Sequence, residues 1–151
     1  IKPVFFMLLI SFIDIYFNIM NIKSSKELVK EANETIKIMS PEQVKSSYDK
    51  GEVTLIDIRD IRELWKEGTI ENAIHIPRGM LEFWLDPQSS YYQEKKIGNI
   101  KNIVLFCALG LRSALATKAL KEMGFDNVAN AEGGFDSLKK AGFKVIHKEK
   151  K

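Results

Sequence analysis

Short runs of apolar and β-branched residues alternate along this chain with segments of helical pattern. The runs predict strands at residues 53–58, 73–77, 103–106 and 127–131. Helices are predicted at residues 41–50, 61–66, 80–85, 112–123 and 135–141. The alternation predicts an α/β fold with a mostly parallel central sheet and helices on both faces. In such sheets, ligands bind beyond the carboxyl ends of the strands.

The N-terminal region begins with an apolar run, residues 3–22, of about the length that spans a bilayer. Asp14 lies near the middle of this run, and a carboxylate there costs on the order of 3 kcal/mol on membrane-insertion scales. No small-x-small pattern, which would indicate cleavage of an export signal, follows the run. Residues 1–22 are therefore interpreted as a membrane anchor, an export signal or a segment without a defined role. The lysines after the run favour a cytoplasmic domain, with membrane association through residues 3–22 or export as alternatives.

The organisation of the remaining chain follows from its pattern and its stop signals. Apolar residues recur at three- and four-residue steps between Ser24 and Met39, which predicts an amphipathic helical linker over residues 23–39. One domain is expected over residues 40–147, followed by a basic tail at 148–151. Residues 86–98 show no clear periodicity and are predicted to form a loop.

Charge and composition exclude several kinds of site. The formal net charge is only +3, and acidic residues are interleaved with basic ones, so no nucleic-acid partner is expected. The single cysteine excludes an internal disulfide. His75 and His147 lie far apart in the sequence, so no metal site is expected either.

Cys107 directly follows the third predicted strand and precedes a helix. Unpaired N–H groups and the helix dipole at such a position favour an anion, which lowers the pKa of a thiol. Gly110 lets the turn curl so that successive N–H groups converge on one point, and Arg112 adds a permanent positive charge. The pattern predicts a reactive cysteine. A structural cysteine in an ordinary strand-to-helix turn remains the alternative at this point.

Five motifs follow one another along the chain: Asp-Ile-Arg at 57–59, the following Glu63, the segment Gly68 to Pro77, the loop from Cys107 to Arg112, and Glu-Gly-Gly at 132–134. With these motifs in this order, the chain resembles the rhodanese family over about Ser40 to Ile146. The resemblance implies a rhodanese-like fold in which Cys107 is the nucleophile that forms a persulfide. It implies that backbone amides surround the sulfur in a loop made of Ala108, Leu109, Gly110, Leu111 and Arg112. It also implies that Asp57, Arg59 and Glu63 are ion-paired supports beside the site.

The loop departs from the family pattern at Ala108, where members that handle thiosulfate often carry arginine. Leu109 and Leu111 also make this loop apolar. The lost charge puts thiosulfate in doubt as the physiological donor. Elsewhere, Thr69 replaces the family's histidine, and His75 is not interpreted as a catalytic base.

The resemblance implies a sulfurtransferase that moves sulfane sulfur from thiosulfate or a persulfide to a nucleophile through a Cys107 persulfide, without a cofactor. The acceptor would be cyanide, a small thiol such as glutathione, or a protein. A phosphatase or arsenate reductase is less well matched, because those enzymes have one more residue between cysteine and arginine. A rhodanese-fold binding or regulatory module, with Cys107 as a redox or persulfide sensor, is the alternative from another class.

Overall fold

The computed structural model describes residues 3–98, 100 and 102–150, with the backbone alone at Met20. The helices are α1 (Pro3–Asn21), α2 (Ser25–Thr35), α3 (Pro41–Asp49), α4 (Ile61–Glu67), α5 (Leu81–Leu85), α6 (Glu94–Ile97), α7 (Leu111–Glu122) and α8 (Gly134–Lys140). The strands are β1 (Lys37–Met39), β2 (Val53–Asp57), β3 (Thr69–Ile70), β4 (Ile74–His75), β5 (Asn102–Phe106), β6 (Val128–Ala131) and β7 (Val145–Ile146). A 3-10 turn, Arg78–Met80, precedes α5. Residues 1 and 2 of the predicted N-terminal segment and Lys151 of the predicted tail lie outside the described residues.

Five strands form one parallel sheet in the order β1-β6-β5-β2-β4. β5 occupies its centre, with β2 on one side and β6 on the other. β3 and β7 form a separate antiparallel pair. The predicted α/β fold with a mostly parallel sheet is confirmed.

Both faces of the sheet are buried, as the continuous apolar run of β5 requires. Ile103 and Leu105 point to a core cluster that includes side chains of α5 and α7. Val104 and Phe106 point to the opposite cluster, which includes side chains of α3 and α8. The carboxyl end of β5 therefore lies in the middle of the molecule, between two helical layers.

The helix predicted up to Met39 is wrong over its last residues, because α2 ends at Thr35 and β1 begins at Lys37. A residue before proline avoids the helical region, so Pro41 holds Ser40 extended, and the short segment before it pairs with β6 instead. The part of the predicted linker that is helical packs on α7, and Ala32 is fully buried there. The linker segment thus supplies an edge strand.

Three other elements differ from the sequence prediction. The strand predicted at 73–77 is limited to β4. The predicted loop at 86–98 contains the short helix α6, whose Ile97 is buried in the core. The pairing of β3 with β7 was not predicted, because it joins segments far apart in the chain.

The N-terminal helix α1 exposes apolar side chains such as Phe5 and Phe17. Among the residues that the structure describes, no helix has both the length and the apolar character needed to cross a membrane. The anchor, signal and no-role interpretations of residues 1–22 stay predictions.

Candidate active site

Cys107 lies at the carboxyl end of β5, directly before the turn that starts α7. Its side chain is buried, with 1% of the residue exposed. Gly110 is the N-cap of α7 and has a φ of +92°, a left-handed conformation that side chains disfavour. A Cβ at this position would also lie 3.3 Å from the backbone nitrogen of Gly133. Glycine therefore lets the cysteine loop, residues 107–112, curl back towards its own sulfur.

Three donors surround the Sγ atom of Cys107. The backbone N–H of Gly110 lies 3.2 Å away and that of Ser113 lies 3.4 Å away. The Ser113 hydroxyl lies 3.3 Å from the same atom and is fully buried. All three belong to the amino end of α7, where backbone N–H groups have no partner within the helix. The arrangement suits an anionic sulfur.

The pKa of Cys107 reflects two opposed influences. Burial raises the pKa of the thiol, since it disfavours the charged form. The Ser113 hydroxyl and the N–H groups of Ser113, Gly110 and Leu109 stabilise the thiolate and lower the pKa. The donors outweigh burial, so the pKa lies below its ordinary value. A larger fraction of this cysteine is therefore thiolate near neutral pH than of a free cysteine.

The turn into α8, formed by Gly133 and the first residues of the helix, holds the other side of the cysteine loop. The N–H of Phe135 donates to the carbonyl oxygen of Cys107 over 2.8 Å. Gly134 has a φ of +60°, and a Cβ there would lie 2.5 Å from that oxygen and 2.7 Å from the carbonyl oxygen of Ala108. The backbone approach therefore requires glycine, which accounts for the second glycine of the Glu-Gly-Gly motif.

Asn130 of β6 fixes the orientation of one peptide in the loop. Its amide donates to the carbonyl oxygen of Gly110 over 3.1 Å, and the N–H of Ala114 donates to the same oxygen. In a trans peptide, the carbonyl and the following N–H point in opposite directions. The N–H of Leu111 is therefore turned away from the helix.

Arg112 lies at the end of the loop and forms a two-pronged ion pair with Glu63. Its Nη1 and Nη2 atoms lie 2.8 and 2.9 Å from the two carboxylate oxygens. The Arg112 guanidinium lowers the pKa of Glu63, and Glu63, with a smaller effect from Cys107, raises the pKa of Arg112. Glu63 also accepts a hydrogen bond from the N–H of Asp60, which caps α4. The pair joins α4 to the start of α7.

Asp57 and Arg59 form a fully buried ion pair at the end of β2, with Nη2 of the arginine 2.8 Å from the carboxylate. Thr69 donates to Asp57 over 2.7 Å, and Arg59 donates to the carbonyl oxygen of Gly68 over 2.7 Å. The guanidinium also lies 4.0 Å from the ring centre of Phe135. Within the described residues, neither member of the pair hydrogen-bonds to the cysteine. Their position is that of a rigid support under the loop.

Sequence reasoning missed Ser113 and Asn130. A signal existed for Ser113, because a serine in the first turn of a helix can direct its hydroxyl towards the helix start. Asn130 gave no signal, since its bond to the loop depends on the pairing of distant strands. His75 lies away from the sulfur, with its Nε2 atom 2.8 Å from the carbonyl oxygen of Arg59. Across the described part of the chain, no cluster of three metal-ligating side chains is present.

A model of the rhodanese-like domain family matches residues 40–141, well over half of the chain. The chain belongs to the rhodanese-like domain family. The matched range contains the central strand, the cysteine loop and the turn that supports it. The family resemblance drawn from the sequence motifs is therefore confirmed.

Known proteins similar to this rhodanese-like domain have several names. A tRNA uridine(34) hydroxylase of Photorhabdus laumondii is 31% identical over 104 residues, which are 69% of this chain and 28% of that protein. The chain spans about a quarter of the length of the curated relatives it matches. The polysulfide-sulfur transferase homodimer of Wolinella succinogenes is 32% identical with a TM-score of 0.62, over 82% of this chain and 88% of that one. A protein of unknown function from Rhodopseudomonas palustris, described as a possible tyrosine phosphatase, is 39% identical with a TM-score of 0.76, over 82% and 95% of the two chains.

Proposed function

We propose that this rhodanese-like domain is a sulfurtransferase that accepts a sulfane sulfur on Cys107 and passes it to a nucleophile. The observation that carries the proposal is the set of donors around Sγ, which are two backbone N–H groups and the Ser113 hydroxyl within 3.4 Å. These donors stabilise the thiolate that the first half of the reaction needs. They leave Cys107 nucleophilic without a separate general base.

The same loop suits the persulfide intermediate. Adding one sulfur moves the negative charge outward by one S–S bond, about 2 Å. The first N–H of α7, on Leu111, points away from the helix and has no hydrogen-bond partner within it. Backbone amides can thus follow the charge as it moves, and no side chain has to rearrange.

The reaction has two displacements. In the first, the Cys107 thiolate attacks the outer sulfur of a donor, a new S–S bond forms, and the donor's own sulfur bond breaks with its electron pair on the leaving group. In the second, a nucleophile such as cyanide attacks the terminal sulfur, and the Cys107 thiolate leaves with the electrons of that bond. The atoms and charges balance without an oxidant or reductant, so we propose that no cofactor is needed.

The supporting residues act through the loop in this proposal. Arg112 contributes a cation that stays charged at all working pH values, and Glu63 fixes its direction. Asp57 and Arg59 keep the end of β2 rigid beside β5. We assign them positioning roles.

The kinetic test is the initial rate of thiocyanate formation from cyanide, with thiosulfate and with glutathione persulfide as donors. The proposal predicts ping-pong kinetics, with parallel lines in double-reciprocal plots, and a loss of the enzymatic rate in Cys107→Ser. Intersecting lines would contradict the double displacement. No transfer from any donor would instead favour the regulatory-module interpretation.

A second candidate comes from the relatives named tRNA uridine(34) hydroxylase. Their similarity to this chain raises tRNA as a macromolecular partner, although the interleaved charges of the sequence predict none. Incubation of the domain with tRNA, followed by electrophoretic separation over a range of salt concentrations, tests this. Salt-sensitive binding would support a part in tRNA modification, and the sulfurtransferase proposal expects no binding at physiological salt.

A further inference from the structure

The charge state of the cysteine loop restricts which sulfur donor it can accept. We infer that the donor is an organic persulfide with an apolar carbon group, and not a dianion such as thiosulfate. The inference rests on the proposed function, since it names the substrate class of that same site. It is carried by two features of the structure, the pairing of the arginines and the exposed leucines of the loop.

All four arginines of the chain are engaged by carboxylates. Arg59 is fully buried in its pair with Asp57 and cannot meet a ligand. Arg62 and Arg78 follow the carboxyl ends of β2 and β4, at the edge of the sheet where Cys107 lies. Each is paired over 2.7 Å with a nearby carboxylate, Arg62 with Asp60 and Arg78 with Glu82. The guanidinium charges at this edge are therefore already compensated.

Arg112 is the arginine that belongs to the loop, and each of its two terminal nitrogens donates one hydrogen bond to Glu63. Taken together, the Cys107 thiolate, Arg112 and Glu63 carry a net charge of −1. A thiosulfate dianion would bring two further negative charges to this group, and the like charges would repel each other at short range. An organic persulfide brings at most one negative charge, and none in the protonated form that the thiolate attacks, so the electrostatics favour it.

The exposed side chains of the loop are apolar. Leu109 and Leu111 are 60% and 57% exposed, although each adjoins Gly110, whose N–H contacts the sulfur. Cys107 is almost fully buried beneath this loop, so a donor that approaches Sγ from the loop side would contact these leucines. Contact with them is favourable when the donor also presents apolar surface, because apolar surface of both partners then leaves water without loss of hydration of a charged group. The sulfonate end of thiosulfate would gain nothing there.

The transfer step balances for this donor. The Cys107 thiolate attacks the terminal sulfur of R–S–SH, and the bond between the two donor sulfurs breaks with its electrons on R–S. The leaving thiolate takes the proton of the transferred sulfur. The products are the Cys107 persulfide anion and R–SH, with one negative charge on each side of the reaction.

Single-turnover rates of persulfide formation on Cys107, followed by the mass of the intact protein, test the inference. The donors are thiosulfate, an alkyl persulfide with an apolar tail, and an alkyl persulfide of similar length with a carboxylate tail. Each rate is divided by the rate of the same donor with a free cysteine thiolate, which removes intrinsic reactivity. We expect the order apolar tail, carboxylate tail, thiosulfate, with about 100-fold or more between first and last.

Leu109→Arg places an unpaired cation at the mouth of the loop, and Leu109→Gln is the matched uncharged control. The arginine variant should gain about tenfold for thiosulfate over the glutamine variant, and both should lose rate with the apolar donor. Equal or faster normalised reaction with thiosulfate in the natural protein would overturn the inference while leaving the sulfurtransferase intact. An equal normalised rate with thiosulfate in the two variants would overturn it too. Absence of a Cys107 persulfide with every donor would instead refute the proposed function.

Discussion

The hydroxyl of Ser113 offers the most direct way to perturb the sulfur without touching it. Its oxygen lies 3.3 Å from Sγ, and both residues are buried, so water does not replace the hydroxyl when it is removed. A hydrogen bond to a charged group contributes about 1.5–3 kcal/mol, and sulfur at this distance suits the lower end. A loss of about 1.5 kcal/mol corresponds to roughly tenfold in an equilibrium. In Ser113→Ala we therefore expect the pKa of Cys107 to rise and, below that pKa, the thiolate fraction to fall about tenfold.

The assay is the pH dependence of alkylation of Cys107 by iodoacetamide, together with kcat/KM for sulfur transfer. Both rise with pH as the thiol ionises, and both curves should move to higher pH in Ser113→Ala. Thr117→Val is the matched control, because the Thr117 hydroxyl is buried in the same helix and donates to the Ser113 carbonyl over 2.7 Å, not to the sulfur. Its curve should coincide with that of the natural protein. A Ser113→Ala curve that also coincides would refute the assigned role of the hydroxyl.

The remaining predictions concern the supports of the loop. Gly134→Ala should lower the rate of sulfur transfer at least about tenfold, because the new Cβ displaces the loop. Gly142→Ala is the control and should keep the rate, since Gly142 also has a positive φ, +91°, but no atom lies within 4 Å of the new Cβ. An equal loss of rate in both variants would contradict the steric argument. Asp57→Asn should lower the free energy of unfolding in urea by about 3 kcal/mol, the lower end for a broken buried ion pair, because the buried guanidinium of Arg59 then keeps only the partly exposed carboxylate of Glu67, 3.2 Å away, as counter-charge. A loss below about 1 kcal/mol would contradict this. Arg112 lowers the pKa of Glu63, so the ion pair stabilises the fold above the ordinary glutamate pKa and this contribution is lost as pH falls through the lowered value. Glu63→Gln should then cost about 1 kcal/mol or less near neutral pH and nothing in acid, as measured by unfolding at several pH values.

Local sequence determined the central part of the site. The apolar run before Cys107 could only be a buried strand, and the glycine and helical pattern after it required a tight turn into a helix. These features depend on neighbouring residues, so they could be predicted from periodicity and capping chemistry. The motifs in order then identified the family.

Features that depend on distant contacts could not be predicted in this way. β1 was assigned to a helix because a three-residue strand leaves too short a pattern to distinguish it from the preceding helical face. The bond from Asn130 to Gly110 exists only because β6 lies beside β5. The pairing of Arg112 with Glu63 joins two helices far apart in the sequence, so the geometry of the predicted support could not be derived from spacing.

The central claim is that Cys107 carries sulfur as a covalent intermediate. The measurement is the mass of the intact protein after exposure to an alkyl persulfide, followed by cyanide. The account predicts a gain of one sulfur atom on Cys107, its absence in Cys107→Ser, and release of one thiocyanate per protein as the mass returns to its starting value. A thiol that stays unmodified under these conditions, in a protein shown to be folded, would contradict the account.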